Sequence, residues 1–170
     1  MAINYIEIKK QSSGRPTDDT NIFLSGCQSI AIPVNVWGKM DAGLAIHAKN
    51  LYPDLLHSYR SACRSGLETG GIHSYMAPDG RLILCCATQK ENFCYSDIRW
   101  VINVLAYLRE LIEAKMITSL ALPALGCSRA ERLPWDKVGP YVAWNLDDFP
   151  GVPIECYIDT GMKHYRISTK

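Results

Sequence analysis

Residues 29–53 read SIAIPVNVWGKMDAGLAIHAKNLYP, and the change of rhythm inside them decides the fold. Residues 29–35 are short, apolar and β-branched, the pattern of a buried strand. Pro33 has no N–H to give to a ladder, so it predicts an edge strand or a bulge here. Residues 37–43 form a turn bracketed by glycines. From Gly43 the apolar residues step at helical spacing until Pro53, which stops that helix and opens the next, PDLLHSYRSACRSG (53–66). A strand running through a glycine turn into a helix is the repeating unit of α/β proteins.

Working outward, the same alternation recurs. Ile3, Tyr5 and Ile8 mark a first strand, followed by the polar loop QSSGRPTDDTN (11–21). GIHSYMAPDGRLILCCAT (71–88) reads as a hairpin, two apolar runs joined by Ala-Pro-Asp-Gly. SDIRWVINVLAYLRELIEA (96–114) has the strongest helical period of the chain, with Ser96 as its expected N-cap and Asp97 complementing the helix dipole. ITSLALPAL (117–125) is a nearly continuous apolar strand, as expected when helices cover both faces of a sheet. WDKVGPYVAWNL is a Pro-interrupted helix and VPIECYID a last buried strand. One sheet between two helical layers, in a single domain over residues 1–170, is the expected architecture.

Composition narrows the function. The chain has 18 basic and 17 acidic residues, a net charge of +1. That balance argues against a bulk electrostatic grip on nucleic acid or on an anionic membrane, so anion binding has to come from a local site. No apolar run reaches the roughly 20 residues of a membrane span, and the polar N-terminus MAINYIEIKK contains no secretory signal. The seven cysteines are odd in number, contain no C-x-x-C pair and mostly sit in apolar runs, which predicts free thiols in a reducing, cytoplasmic compartment. His47, His57, His73 and His164 lack metal-ligand spacing, so neither a metal nor a cofactor is expected.

Two turns carry the chemistry: VNVWGKMDAGLA (34–45) and ALPALGCSRAERLPW (121–135). Each leaves a buried strand through glycine and is followed by a helix. Ligands of open α/β sheets sit at the carboxyl ends of strands, where a helix N-terminus attracts phosphate and glycine lets the backbone approach it. Two such loops can hold a diphosphate between them. Neither matches G-x-x-x-x-G-K-[ST] or G-x-G-x-x-G, so the usual triphosphate and dinucleotide readings lack support.

The residues themselves resemble a known family. VNVWGKMDAGLAIHAKNLYP resembles the first signature of macro domains, the ADP-ribose-binding fold, with Asn35, Gly38, Met40, Gly43, Leu44, Ala45, Lys49, Tyr52 and Pro53 in register. ALPALGC with Leu133 and Trp135 resembles the second signature. The resemblance covers about residues 28–146 and is strongest to the branch of terminal ADP-ribose glycohydrolase, DNA ADP-ribosyl hydrolase antitoxins and ADP-ribose-1''-phosphate phosphatases. It implies a three-layer α/β/α macro domain with a mixed sheet of about six strands. The implied ligand is ADP-ribose or an ADP-ribosylated protein or nucleic acid. Its diphosphate would lie between Met40, Asp41, Ala42, Gly43, Leu44 and Ala45 on one side and Leu125, Gly126, Cys127, Ser128 and Arg129 on the other, with Asn35 at the distal ribose.

Departures from the family pattern bear on catalysis. The branch has Gly where Asp41 stands, and an early Gly-Asp that often contacts adenine is missing here. In the glycohydrolases a Thr-Lys after the central strand supplies a nucleophilic amine; this chain reads CATQK, placing Gln89 at that position and Lys90 one later. Glu131 aligns with the assisting acid. The implied catalytic set is therefore Asn35, Gln89, Lys90 and Glu131, three of them with a plainer alternative. Asn35 could cap the strand end, Lys90 could be a solvated loop lysine, and Glu131 could be a surface partner of Arg129 or Arg132. Phe93 and Tyr95 could cover the distal ribose or pack in the core. Cys127 stands where a helix N-terminus could lower its pKa, but its spacing to the arginines does not fit a cysteine phosphatase, and packing is the plainer role. An ADP-ribosyl or ADP-ribose-1''-phosphate hydrolase and a non-catalytic ADP-ribose binder both remain open.

Overall fold

The computed structural model describes residues 3–167. Its six-stranded sheet has the order β1-β6-β5-β2-β4-β3. The strands are β1 (Asn4–Glu7), β2 (Ser29–Val34), β3 (Ile72–Met76), β4 (Leu82–Ala87), β5 (Leu120–Pro123) and β6 (Ile154–Ile158). All neighbours are parallel except β3, which pairs antiparallel with β4 as the hairpin pattern predicts. The helices are α1 (Gly43–Leu51), α2 (Leu55–Arg64), α3 (Ile98–Glu113) and α4 (Trp135–Leu146).

Side chains alternate across the sheet, because successive Cβ atoms of a strand point to opposite faces. Ile30, Ile32 and Val34 of β2, with Ile83 and Cys85 of β4, join α1 and α2 residues Ala45, Ala48, Leu55 and Tyr59 in one core. Ala31, Leu84 and Cys86 point the other way, to Val101, Leu105 and Leu108 of α3 and Val138 and Val142 of α4. Both faces are covered, which is why the central strands read as unbroken apolar runs. No helix of the described residues is long and apolar enough to cross a membrane.

Two expectations are corrected. Pro33 marks neither an edge nor a bulge: β2 lies inside the sheet, but it pairs with β5 only at Ser29 and Ile30. Pro33 sits beyond that pairing, where the two strands have already parted, so its missing N–H interrupts nothing on that side. Ser96 does not cap α3. Asp97 does, accepting from the Arg99 N–H, while the Ser96 hydroxyl donates to the Thr88 carbonyl at 2.6 Å and ties the helix start to the end of β4.

Candidate functional site

The parting of β2 from β5 opens a cleft of about 520 Å³ at the carboxyl ends of the parallel strands. Cavities of this size suit small-molecule ligands. Four strand ends and one hairpin build its walls.

The first wall follows β2. Asn35 is buried, and its amide organises the loop behind it. Oδ1 accepts from the N–H groups of Trp37 (3.0 Å) and Lys39 (3.3 Å) and from the Tyr59 hydroxyl (2.8 Å), while Nδ2 donates to the Lys39 carbonyl (3.0 Å). Three donors leave Oδ1 little room for a ligand; one Nδ2 hydrogen remains. The loop then feeds α1, whose first backbone bond runs from Ile46 N to Ala42 O. The N–H groups of Gly43, Leu44 and Ala45 are thus the orphan donors of a helix start, aimed where an anion is favoured. Gly43 has φ +58 and open space where a Cβ would stand.

The second wall follows β5 and closes on itself. Cys127 N–H donates to Ala124 O, Arg132 N–H to Ser128 O and Leu133 N–H to Gly126 O. Gly126 has φ +78, and a Cβ there would lie 2.7 Å from Leu133 Cδ1 and 2.8 Å from Val101 Cγ2. The N–H groups of Ser128, Arg129 and Ala130 take no part in this closure and remain available at the cleft.

Glu131 is the unusual member of this wall. Its residue is 3% exposed, its Oε2 has no hydrogen-bond partner, and it lines the cleft. Burial in apolar surroundings raises its pKa to about 7, moderated by the nearby Thr88 hydroxyl, which is itself buried without a partner at hydrogen-bond distance. Glu131 is therefore not a surface partner of Arg129 or Arg132. Cys127 is no activated thiol either: burial first, then the charges of Glu131 and Asp159, push its pKa to about 12, and α4 begins only at Trp135.

The end of β4 supplies Gln89, whose amide donates to the Cys94 carbonyl at 2.9 Å. At the opposite end, β6 supplies Tyr157 and Asp159, and a hairpin closed by the Lys10–Pro16 bridge adds Ile8, Lys10 and Pro16.

This architecture matches solved proteins. The macrodomain of Thermus aquaticus DarG aligns over 92% of this chain and 97% of its own, at 25% identity and a TM-score of 0.75. This chain has the macrodomain fold. Thermosipho africanus DarTG, solved in complex with ADP-ribose, matches 85% of this chain and 41% of its own at 28% identity and a TM-score of 0.75. Among curated relatives, a DNA ADP-ribosyl transferase–DNA ADP-ribosyl glycohydrolase fusion protein of Thermosipho africanus is 28% identical over 157 residues, covering 81% of this chain and 40% of its own length. A DNA ADP-ribosyl glycohydrolase of Thermus aquaticus is 28% identical over 141 residues, covering 81% of this chain and 39% of its own. The chain thus spans about two fifths of the length of the curated relatives it matches. No family model matches the sequence.

Of the residues expected at the site, Asn35, Asp41, Ala42, Gly43, Leu44, Ala45, Gln89, Gly126, Cys127, Ser128, Arg129 and Glu131 line the cleft. Met40 and Leu125 are buried behind it, filling the core under their loops. Lys90 is exposed and outside the lining, since neighbouring residues at a strand end face opposite ways. Phe93 lines the cleft while remaining largely exposed, and Tyr95 lies outside it under Arg132. Sequence reasoning missed Tyr59, Lys10, Pro16, Tyr157 and Asp159. Tyr59 had a faint signal, an apolar-face position of α2; the others come together only through the order of the strands.

Proposed function

We propose that this macrodomain binds ADP-ribose across the strand ends and hydrolyses an ADP-ribosyl bond. ADP-ribosylated DNA, the substrate class in its relatives' names, is the substrate we infer. The seven unpaired cysteines suit a reducing, cytoplasmic setting for residues 1–170 acting as one unit. The lining runs from β1 and β6 to β4, four strand spacings or roughly 19 Å. Such a length suits an extended nucleoside diphosphate sugar, with the orphan N–H groups of α1 and of the 128–130 segment on its phosphates.

The observation that carries hydrolysis is Glu131, a buried carboxyl whose Oε2 has no partner, on the lining of the same cleft as Gln89 and Asn35. With a pKa of about 7 a large share of the molecules carries its proton at neutral pH, where an ordinary glutamate carries almost none. It gives that proton to the departing atom as the bond to C1'' breaks, then takes one from the water that adds to C1''. Gln89 and the remaining Asn35 N–H orient the distal ribose, and the preorganised loops hold the diphosphate, which supplies much of the acceleration. Lys90, exposed and outside the lining, has no part in this scheme. Gln89, standing where the glycohydrolases have lysine, favours a second reading: a binder that retains ADP-ribose without turnover, or a phosphatase acting on ADP-ribose-1''-phosphate.

The test is incubation with ADP-ribosylated oligonucleotide, ADP-ribosylated protein and ADP-ribose-1''-phosphate, followed by chromatography. We expect release of unmodified oligonucleotide, lost in Glu131→Gln and retained in Lys90→Ala. Rate should fall as pH rises through about 7, because the acid must be protonated. Tight ADP-ribose binding with no turnover of any of the three would leave the binder; turnover of the 1''-phosphate alone would leave the phosphatase.

A further inference from the structure

At the β4 end of the cleft three large aromatic side chains stand in solvent, Phe93 on its lining and Trp37 and Tyr95 outside it: Trp37 is 57% exposed, Phe93 66% and Tyr95 63%. They lie on different loops, but hydrogen bonds tie those loops into one surface. Val36 N–H donates to the Lys90 carbonyl at 3.4 Å, Gln89 Nε2 to the Cys94 carbonyl at 2.9 Å, and Ser96 N–H to the Glu131 carbonyl at 2.9 Å. Arg132 closes the group. Its guanidinium carbon is 4.8 Å from the Tyr95 ring centroid, and its Nη1 donates to the Tyr95 hydroxyl at 2.7 Å.

Both partners of this surface are held in an unusual backbone conformation. Phe93 (φ 60) and Arg132 (φ 63) are two of three non-glycine residues with positive φ among the described residues, and both flank the cleft. The third, Lys115, follows directly after the C-terminal turn of α3, where left-handed residues are ordinary. Phe93 lies in a turn, and Arg132 closes the Ser128 turn through its N–H; both left-handed turns stand beside the cleft, where such residues often present side chains to a ligand.

Aromatic faces interleaved with cations are the chemistry of single-stranded nucleic acid: bases stack on the rings while Lys or Arg meets the phosphates. The cations here are Lys90, exposed beside the cleft, and Arg132. Of the nearby carboxylates, Asp97 pairs with Arg99 at 2.6 Å, while Glu91, which accepts only the Cys94 thiol at 3.8 Å, keeps its charge and has to be outweighed by Lys90 and Arg132. With a whole-chain charge of +1, a grip on a strand has to be local, and this is a local array.

We propose that Trp37, Phe93 and the Tyr95–Arg132 pair form a stacking platform for unmodified nucleotides of a single strand, which enters the cleft at its β4 end. The hydrolase reading enters only in placing the strand beside the reacting bond; the platform binds unmodified strand by itself.

The experiment is fluorescence anisotropy of a short fluorescein-labelled oligothymidylate with the wild-type chain, Trp37→Ala, Tyr95→Ala and Arg132→Gln, competed by duplex DNA and by inorganic polyphosphate. All three residues lie outside the cleft lining, so calorimetry with ADP-ribose on each variant reports whether the fold and the cleft are intact. We expect saturable strand binding that weakens roughly tenfold on loss of either ring, and a shallower salt dependence in Arg132→Gln. Duplex and polyphosphate should compete poorly. No binding at high micromolar protein, binding unchanged in both ring variants, or equal competition by polyphosphate would overturn the platform. Strand binding without ADP-ribose binding would sink the hydrolase reading and leave the platform standing; ADP-ribose binding without strand binding would do the reverse.

Discussion

The two walls of the cleft hold their shape by different means. The first is built around one side chain: the Asn35 amide collects Trp37, Lys39 and Tyr59 and so sets the approach to α1. The second is built from backbone, with Gly126, Ser128, Arg132 and Leu133 bonded to one another and Gly126 wedged between Leu133 and Val101. Their glycines differ in the same sense. Gly126 has no space for a Cβ, whereas Gly43 has open space. One glycine is required by the core; the other leaves open space on the lining of the cleft. A side-chain clamp fails with one substitution, while a backbone closure fails only when something is forced into it.

Gly126→Ala should give the largest effect. The added methyl meets Leu133 and Val101 at 2.7 and 2.8 Å, and L-residues are strained at φ +78. Overpacking and left-handed strain together cost about 3–4 kcal/mol, and each kcal/mol lowers Tm by about 2–4 °C in a chain of this size. A drop of less than a few degrees in calorimetry would show that the second wall is softer than its bonds suggest.

Asn35→Ala should follow. It leaves the N–H groups of Trp37 and Lys39 without their acceptor and deprives the buried Tyr59 hydroxyl of one of its two, at about 2–3 kcal/mol. ADP-ribose titration of this variant should show no heat. Asn35→Asp keeps the acceptor and should recover most of the stability, which separates the clamp from any direct ligand contact.

Glu131→Gln makes the comparison pH-dependent. The glutamate has a folded pKa of about 7, above its unfolded value of 4.5, so the folded state holds its proton more tightly. The wild type is therefore least penalised below pH 4.5 and loses stability progressively up to about pH 7. The variant should gain up to roughly 2–3 kcal/mol at pH 8 and nothing at pH 4. Thermal melts at the two pH values decide it: equal gains would mean that the buried carboxyl is not the titrating group.

Gly43→Ala should have the smallest effect on folding. Its Cβ meets nothing, so only the left-handed strain of about 1 kcal/mol remains. Its effect on ADP-ribose affinity should exceed that of any comparable methyl elsewhere, and Gly43→Glu should abolish binding while the chain stays folded. If Gly43→Glu binds ADP-ribose normally, the open space at Gly43 does not face the ligand.

Much of this was legible in the chain. Short apolar or alternating runs marked all six strands, and a three- to four-residue period the four α-helices, because each element buries one face or both and writes that burial into its residues. The glycine turns and their family resemblance located both walls, since the left-handed backbone at Gly43 and Gly126 favours residues without a Cβ. Burial of Glu131 was not legible. A glutamate among arginines reads as a surface residue, and only the packing of the closed loop against Thr88 and α3 withdraws it from water. Pro33 misled for the same reason: its partner strands are chosen by topology, and β5 parts from β2 just before it. The Asn35 clamp on Tyr59 and the meeting of Lys10, Pro16, Tyr157 and Asp159 in one cleft likewise join residues far apart in the chain. Local sequence determines which backbone can lie where, because propensity and periodicity act over a few residues. Which strand ends become neighbours, and therefore which carboxyl is dry and which ring is wet, is decided by burying all the apolar faces at once.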